Sequence, residues 1–192
     1  MDKFKIIYEY ILGNDEVTNQ QRFEIAWDIV EQFGKIREEI KRQLAVSVEK
    51  RLSEELDDNW EVSNTFNEGC WNKHSAGVFI RNKKWIINEH KILIGIQADG
   101  QEFNNLYLCI KYHTDISNFF EKDFNNFETV SHWFQMKREW LDEAYRDTWK
   151  RDFLMKVTTK SGKQEIIDYY VNKIYEFQIK VEPKINNIID EQ

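Results

Sequence analysis

From Phe23 onward the apolar residues recur at intervals of three and four: Phe23, Ala26, Ile29, Val30, Phe33, Ile36, Ile40, Leu44, Val48, Leu52 and Leu56. That spacing holds one stripe along one side of a helix. Glu38, Glu39, Lys41, Arg42, Glu49, Lys50, Arg51, Glu54 and Glu55 fall mostly off the stripe and read as a solvated face with i,i+4 support. Thr18 and Gln21 have capping-box spacing, which predicts that the helix starts there. Gly34 is the point where it would bend or split. A shorter helix is predicted over Lys3 to Leu12, ending at Gly13-Asn14.

After Asp57-Asp58-Asn59 the period changes to two. Strands are predicted at Trp60 to Phe66, Ala76 to Arg81, Trp85 to Ile87, Lys91 to Gln97 and Leu106 to His113. The turns Arg81-Asn82-Lys83-Lys84 and Asp99-Gly100 are short, so neighbouring strands should be antiparallel. Along the last strand Leu106, Leu108, Ile110 and Tyr112 share one face, and Tyr107, Cys109, Lys111 and His113 the other. Helical spacing then returns with Trp133, Met136, Trp140, Leu141, Ala144, Tyr145 and Trp149, continued by Phe153 and Leu154. A last long helix opens with the capping pair Ser161 and Gln164 and carries Ile166, Ile167, Tyr170, Val171, Ile174, Phe177 and Val181. Pro183 should kink it or start a final turn.

The pattern predicts an α+β fold. Its mainly antiparallel sheet has about four to five strands, flanked by a long N-terminal helix and two to three C-terminal helices. At 192 residues the expectation is a single domain, helical over 1–57, sheet over 60–113 and helical over 131–189. Aromatic residues make up 15% of the chain, enough apolar material for a packed core without disulfides.

Charge narrows the choice of partner. A formal net charge of -7 repels nucleic acid and anionic membrane surfaces, so a polyanion would need a local basic patch. The start of the chain lacks a signal-peptide pattern, and no stretch approaches the ~18 apolar residues of a membrane span. A cytoplasmic location is expected. Cys70 and Cys109, far apart, read as free thiols.

Candidate chemistry is sparse. Cys70 and His74 have the spacing of half a zinc site, with no second pair of ligands to complete it. His90, His113 and His132 are scattered and read as structural residues, and no phosphate-binding loop is present. Arg81, Lys83, Lys84 and Trp85 join basic and aromatic groups at a hairpin tip, a candidate nucleic-acid contact weighed against a charged, solvated turn. Trp133, Trp140 and Trp149 read as helix-packing core.

A leading helix followed by strands, together with Gly77-Val78-Phe79-Ile80, Trp85 and Ile92-Leu93-Ile94-Gly95-Ile96, resembles the PD-(D/E)XK nuclease-like proteins of bacteria and phages, over about residues 17 to 189. In active members two carboxylates hold a divalent metal and a Lys orients the attacking water. The resemblance places Asp99 at the first carboxylate and Lys111 at the lysine, with Glu102 reaching in from the neighbouring loop and Glu49 as a helix carboxylate. Cys109 occupies the place of the second carboxylate, and a thiol is a poor Mg²⁺ ligand.

Three functions follow as expectations. The first is a non-enzymatic protein-interaction module, a bacterial or phage accessory protein that needs no cofactor and meets a protein partner through an acidic surface and exposed aromatics. The second is a divergent Mg²⁺-dependent nuclease using Asp99, Glu102 and Lys111. The third is a structural protein whose helices oligomerise.

Overall fold

The computed structural model describes residues 16–65, 76–100, 104–131 and 134–192. The predicted helix over Lys3 to Leu12, and the candidates Cys70, His74, Glu102, His132 and Trp133, lie outside the described residues. The chain separates into two compact units, Met1–Glu39 and Ile40–Gln192. Helix α1, Glu16–Glu55, contributes to both. Its described residues run from Glu16, ahead of Thr18, and Gly34 does not split it.

In the first unit the helix is held by local contacts. Gln20 Nε2 donates to Glu24 Oε1 at 3.2 Å, and the rings of Phe23 and Trp27 stack with centroids 6.2 Å apart, both pairs at the i,i+4 spacing that faces side chains together.

The second unit is built on a six-stranded sheet. Its strands are β1 (Trp60–Asn64), β2 (Gly77–Asn82), β5 (Leu93–Gly100), β6 (Asn104–His113), β7 (Glu128–Ser131) and β8 (Phe134–Trp140). The order is β1-β2-β5-β6-β8-β7, antiparallel at every pairing. A small separate ladder pairs β3 (Ile86–Ile87) with β4 (His90–Lys91). Asn88 and Glu89 between them have φ of 48° and 69°. Two positive φ values in a two-residue connection are those of a type I′ turn, whose twist matches the strands it joins.

Three helices follow: α2 (Glu143–Arg146), α3 (Arg151–Val157) and α4 (Lys160–Asp190). The cap of α4 is Thr159, whose Oγ1 accepts from the Gly162 N–H at 3.1 Å, rather than Ser161. Pro183 lies inside α4, which continues to Asp190.

One face of the sheet carries the main core. Val78, Ile80, Ile94, Ile96, Leu106, Leu108, Ile110 and Tyr112 pack with Leu44, Val48 and Leu52 of α1 and with Ile166, Tyr170, Ile174, Phe177, Val181 and Ile185 of α4. The alternation read from β6 is therefore observed: its even residues enter this core, while Tyr107 and Cys109 join Phe79 and Leu93 in a smaller cluster on the other face. Across that second face Gln97 Nε2 donates to Tyr107 Oη at 2.8 Å.

The α+β class holds, and the main sheet has six strands, one more than the upper predicted bound of five. The segment 134–140, predicted helical from Trp133, Met136 and Trp140, is strand β8. It pairs with β6 from Tyr107↔Trp140 to His113↔Phe134. A strand edge as long as β6 leaves a row of amides and carbonyls that a neighbouring strand satisfies, and this non-local demand overrides a local three-and-four spacing.

Candidate functional site

Among the described residues, the positions singled out by the nuclease resemblance lie apart. Asp99 lies near the turn end of the β5–β6 hairpin, whereas Lys111 pairs with Leu93 at the opposite end. Six residues of strand separate the levels of Asp99 and Leu93, about 20 Å at strand rise. Each group is engaged locally: Asp99 Oδ2 accepts from Arg138 at 3.1 Å, and the Lys111 ammonium sits 5.1 Å from the centre of the Phe79 ring. Glu49 Oε2 accepts from Asn64 Nδ2 at 2.8 Å, on the α1 side of the sheet. Cys109 is fully buried, and burial pushes its thiol up to about 12, the opposite of what a metal-ligating thiolate requires.

The basic hairpin tip divides in two. Trp85 is completely buried, its Nε1 donating to Asn186 Oδ1 at 2.9 Å and its ring edge-on to Trp60 at 5.1 Å, so it presents no face to a base. Arg81 is buried as well and pairs with Glu61. Only Lys83 and Lys84 are exposed, too little for a phosphate track. Trp140 and Trp149, expected in a helix core, are each more than a third exposed and serve as cation platforms: Arg138 and Arg146 lie over Trp140 at 4.4 and 5.2 Å, and the Lys41 ammonium over Trp149 at 4.6 Å.

Two of the scattered histidines meet. The I′ turn delivers His90 at the start of β4, and β6 ends in His113, which caps a 3₁₀ helix over Thr114–Phe119. Their rings stack with centroids 4.2 Å apart and planes 4° from parallel. Asp115 completes the group: its Oδ2 lies 3.4 Å from His90 Nε2 and 3.2 Å from His113 Nδ1. Sequence reading missed this cluster because 23 residues separate the histidines and only the fold closes the gap. The local His113-Thr114-Asp115 spacing was the one available signal.

A different feature dominates the first unit. Phe23, Ile25, Trp27, Ile29, Val30, Phe33 and Ile36 are exposed by 49–74%, a concentration of large apolar side chains not matched elsewhere among the described residues. At 100° per residue they cover an arc of about 200°, wider than the one-sided stripe of a helix that packs on its own core. Arg22 and Arg37 also fall inside the arc. The remaining face carries Glu24, Asp28, Glu31, Glu38 and Glu39 against Lys35.

No helix among the described residues is long and apolar enough to cross a membrane. No protein-family model, curated protein or solved structure matches the chain.

Proposed function

We propose that the protein is a non-enzymatic interaction module whose helical segment Phe23–Ile36 seats in an apolar groove of a partner protein. The observation that carries this reading is the exposed apolar arc of α1. Seven large hydrophobic side chains within fourteen residues lie in water, each costing about 25 cal/mol for every Å² left uncovered. A helix laid in a groove covers such an arc through anchors at i, i+3, i+4 and i+7, as Phe23, Ala26, Trp27 and Val30 are spaced.

Charge selects the occupant. Five carboxylates against one lysine border the arc, with Arg22 and Arg37 inside it, so the complementary groove is mostly apolar along its floor, rimmed by Lys or Arg, and meets two arginines. A second copy of the chain laid parallel would instead oppose carboxylate rows. Asp99 and Lys111 stand at opposite ends of the β5–β6 hairpin, which favours the interaction reading over the nuclease one.

The test combines sedimentation of the purified chain with site-specific photo-crosslinking from position 27 in cells. The reading expects a monomer in isolation and a single crosslinked protein. That crosslink should be lost in Phe23→Glu/Phe33→Glu, kept in Lys83→Ala/Lys84→Ala, and weakened by added salt. A concentration-dependent homodimer that Phe33→Glu dissolves would assign the face to a second copy. A crosslink indifferent to the helix variants would remove the proposal.

A further inference from the structure

We infer that His90, His113 and Asp115 form a binding site for a divalent metal of the zinc class. The geometry is the first argument. One ligand atom from each residue lies within 4.8 Å of the others, and two of the three edges, 3.4 Å from His90 Nε2 to Asp115 Oδ2 and 3.2 Å from His113 Nδ1 to Asp115 Oδ2, already match a bound set. Metal–ligand bonds of about 2.0–2.1 Å in a tetrahedron space neighbouring ligand atoms about 3.3 Å apart.

The second argument is electrostatic. His113 Nδ1 accepts from the Asp115 backbone N–H at 3.3 Å, so this nitrogen presents a lone pair. The same nitrogen lies 3.2 Å from a carboxylate oxygen, which presents lone pairs of its own. A cation drawn to the carboxylate would be held by that same single lone pair of Nδ1, taking the place of the backbone hydrogen bond.

The donor set chooses the metal. Two imidazoles and one carboxylate suit Zn²⁺, Co²⁺ or Ni²⁺, whereas Mg²⁺ prefers oxygen throughout. The histidine side chains are 30% and 35% exposed and Asp115 68%, which leaves water free to complete the coordination. Parallel stacked rings aim their lone pairs side by side, so binding turns one imidazole toward the other. His113 caps the 3₁₀ helix and His90, on a two-residue strand beside the I′ turn, does not, so His90 is the ring that binding turns.

The full chain is titrated with Zn²⁺ by calorimetry and with Co²⁺ by visible absorption, beside His90→Ala, His113→Asn, Asp115→Asn and Cys70→Ser/His74→Ala. Asn at 113 keeps an oxygen to accept from the Asp115 N–H, so the cap survives while the imidazole is lost. Circular dichroism verifies each fold. One equivalent should bind, with Co²⁺ ligand-field bands, unaffected by millimolar Mg²⁺ and by Cys70→Ser/His74→Ala. Each change at 90, 113 or 115 should weaken it more than about tenfold. Absence of binding, or binding that persists in His90→Ala/His113→Asn, would overturn the assignment.

Discussion

The apolar stripe of α1 between Phe23 and Ile36 and that of α4 between Ile166 and Ile188 are written in the same three-and-four spacing, yet they end in opposite environments. Ile166, Ile174, Val181 and Ile185 are wholly buried, whereas no large apolar side chain between Phe23 and Ile36 is less than 49% exposed. Periodicity therefore fixes that a helix has an apolar face, and says nothing about whose surface covers it. In α4 the cover is the chain's own sheet. In the first unit the face stands exposed, and it is this face that the proposed partner would cover.

The sharpest way to break this contrast is to truncate one phenylalanine from each stripe. Phe177 is 2% exposed and meets Phe127 edge-on at 5.9 Å, so Phe177→Ala should lower unfolding free energy by about 3–5 kcal/mol in urea. Phe33 is half exposed, and Phe33→Ala should stay within about 0.5 kcal/mol of the parent while weakening the crosslink. Comparable losses of stability from both would show that the first unit's face is covered within the folded chain.

A thiol probe sharpens the same contrast. In a Cys70→Ser background, Cys109 should react with iodoacetamide only through global opening, at least about a thousandfold slower than Ile29→Cys added to Cys70→Ser/Cys109→Ala. The buried thiol also sets a pH dependence. Its ordinary value is 9.0 and burial raises it to about 12, so the folded chain keeps a proton that the unfolded chain releases. The corresponding stability is fully present below about pH 9 and declines by roughly 1.4 kcal/mol per pH unit as pH rises from about 9 toward 12. Denaturation curves should show that limb, flattened in Cys109→Ala. Tyr112 and Tyr175, which burial also pushes up to about 12, together with Tyr107, Tyr169 and Tyr170, which it raises further, should leave a remainder above about pH 10.

A smaller effect is expected where α4 meets the minor ladder. Asn186 is exposed but receives the hydrogen bond of the buried Trp85 indole. Asn186→Ala strands that N–H at a cost of about 1–3 kcal/mol, offset in part by alanine's better helix propensity. A net loss near 1 kcal/mol, absent when Trp85→Phe has already removed the donor, would verify the pair by double-mutant cycle.

What the sequence disclosed follows the same line between local and non-local causes. The alternation of β6 and the stripe of α4 were legible because each side chain's face follows from its place in a regular element. Strand β8 was misread because Met136 and Trp140 fit helical spacing, and only pairing with β6 decides otherwise. Trp85 was placed at an exposed tip because Lys83 and Lys84 precede it. Its burial against Trp60 and Asn186 joins residues 25 and 101 positions away, which composition cannot report. The meeting of His90 and His113 was hidden for the same reason.

The two glycines that accompany these helices offer the smallest test. Gly162, at the start of α4, has no room for a side chain: a Cβ would come 2.3 Å from the Lys156 carbonyl oxygen and 2.7 Å from the Thr159 hydroxyl that caps the helix. Gly34, in the interior of α1, has nothing within 4 Å of a Cβ position. Gly162→Ala should therefore disrupt the cap and destabilise. Gly34→Ala adds no contact and removes backbone freedom from the unfolded chain, so it should stabilise its segment by about 0.5–1 kcal/mol. Amide exchange of residues 30–38 reads this directly, slowing by about two- to fivefold on the free chain, since RT is about 0.59 kcal/mol. Unchanged exchange would mean that packing on a further surface, rather than intrinsic propensity, already holds α1 at Gly34, and the contrast between the two stripes would fall with it.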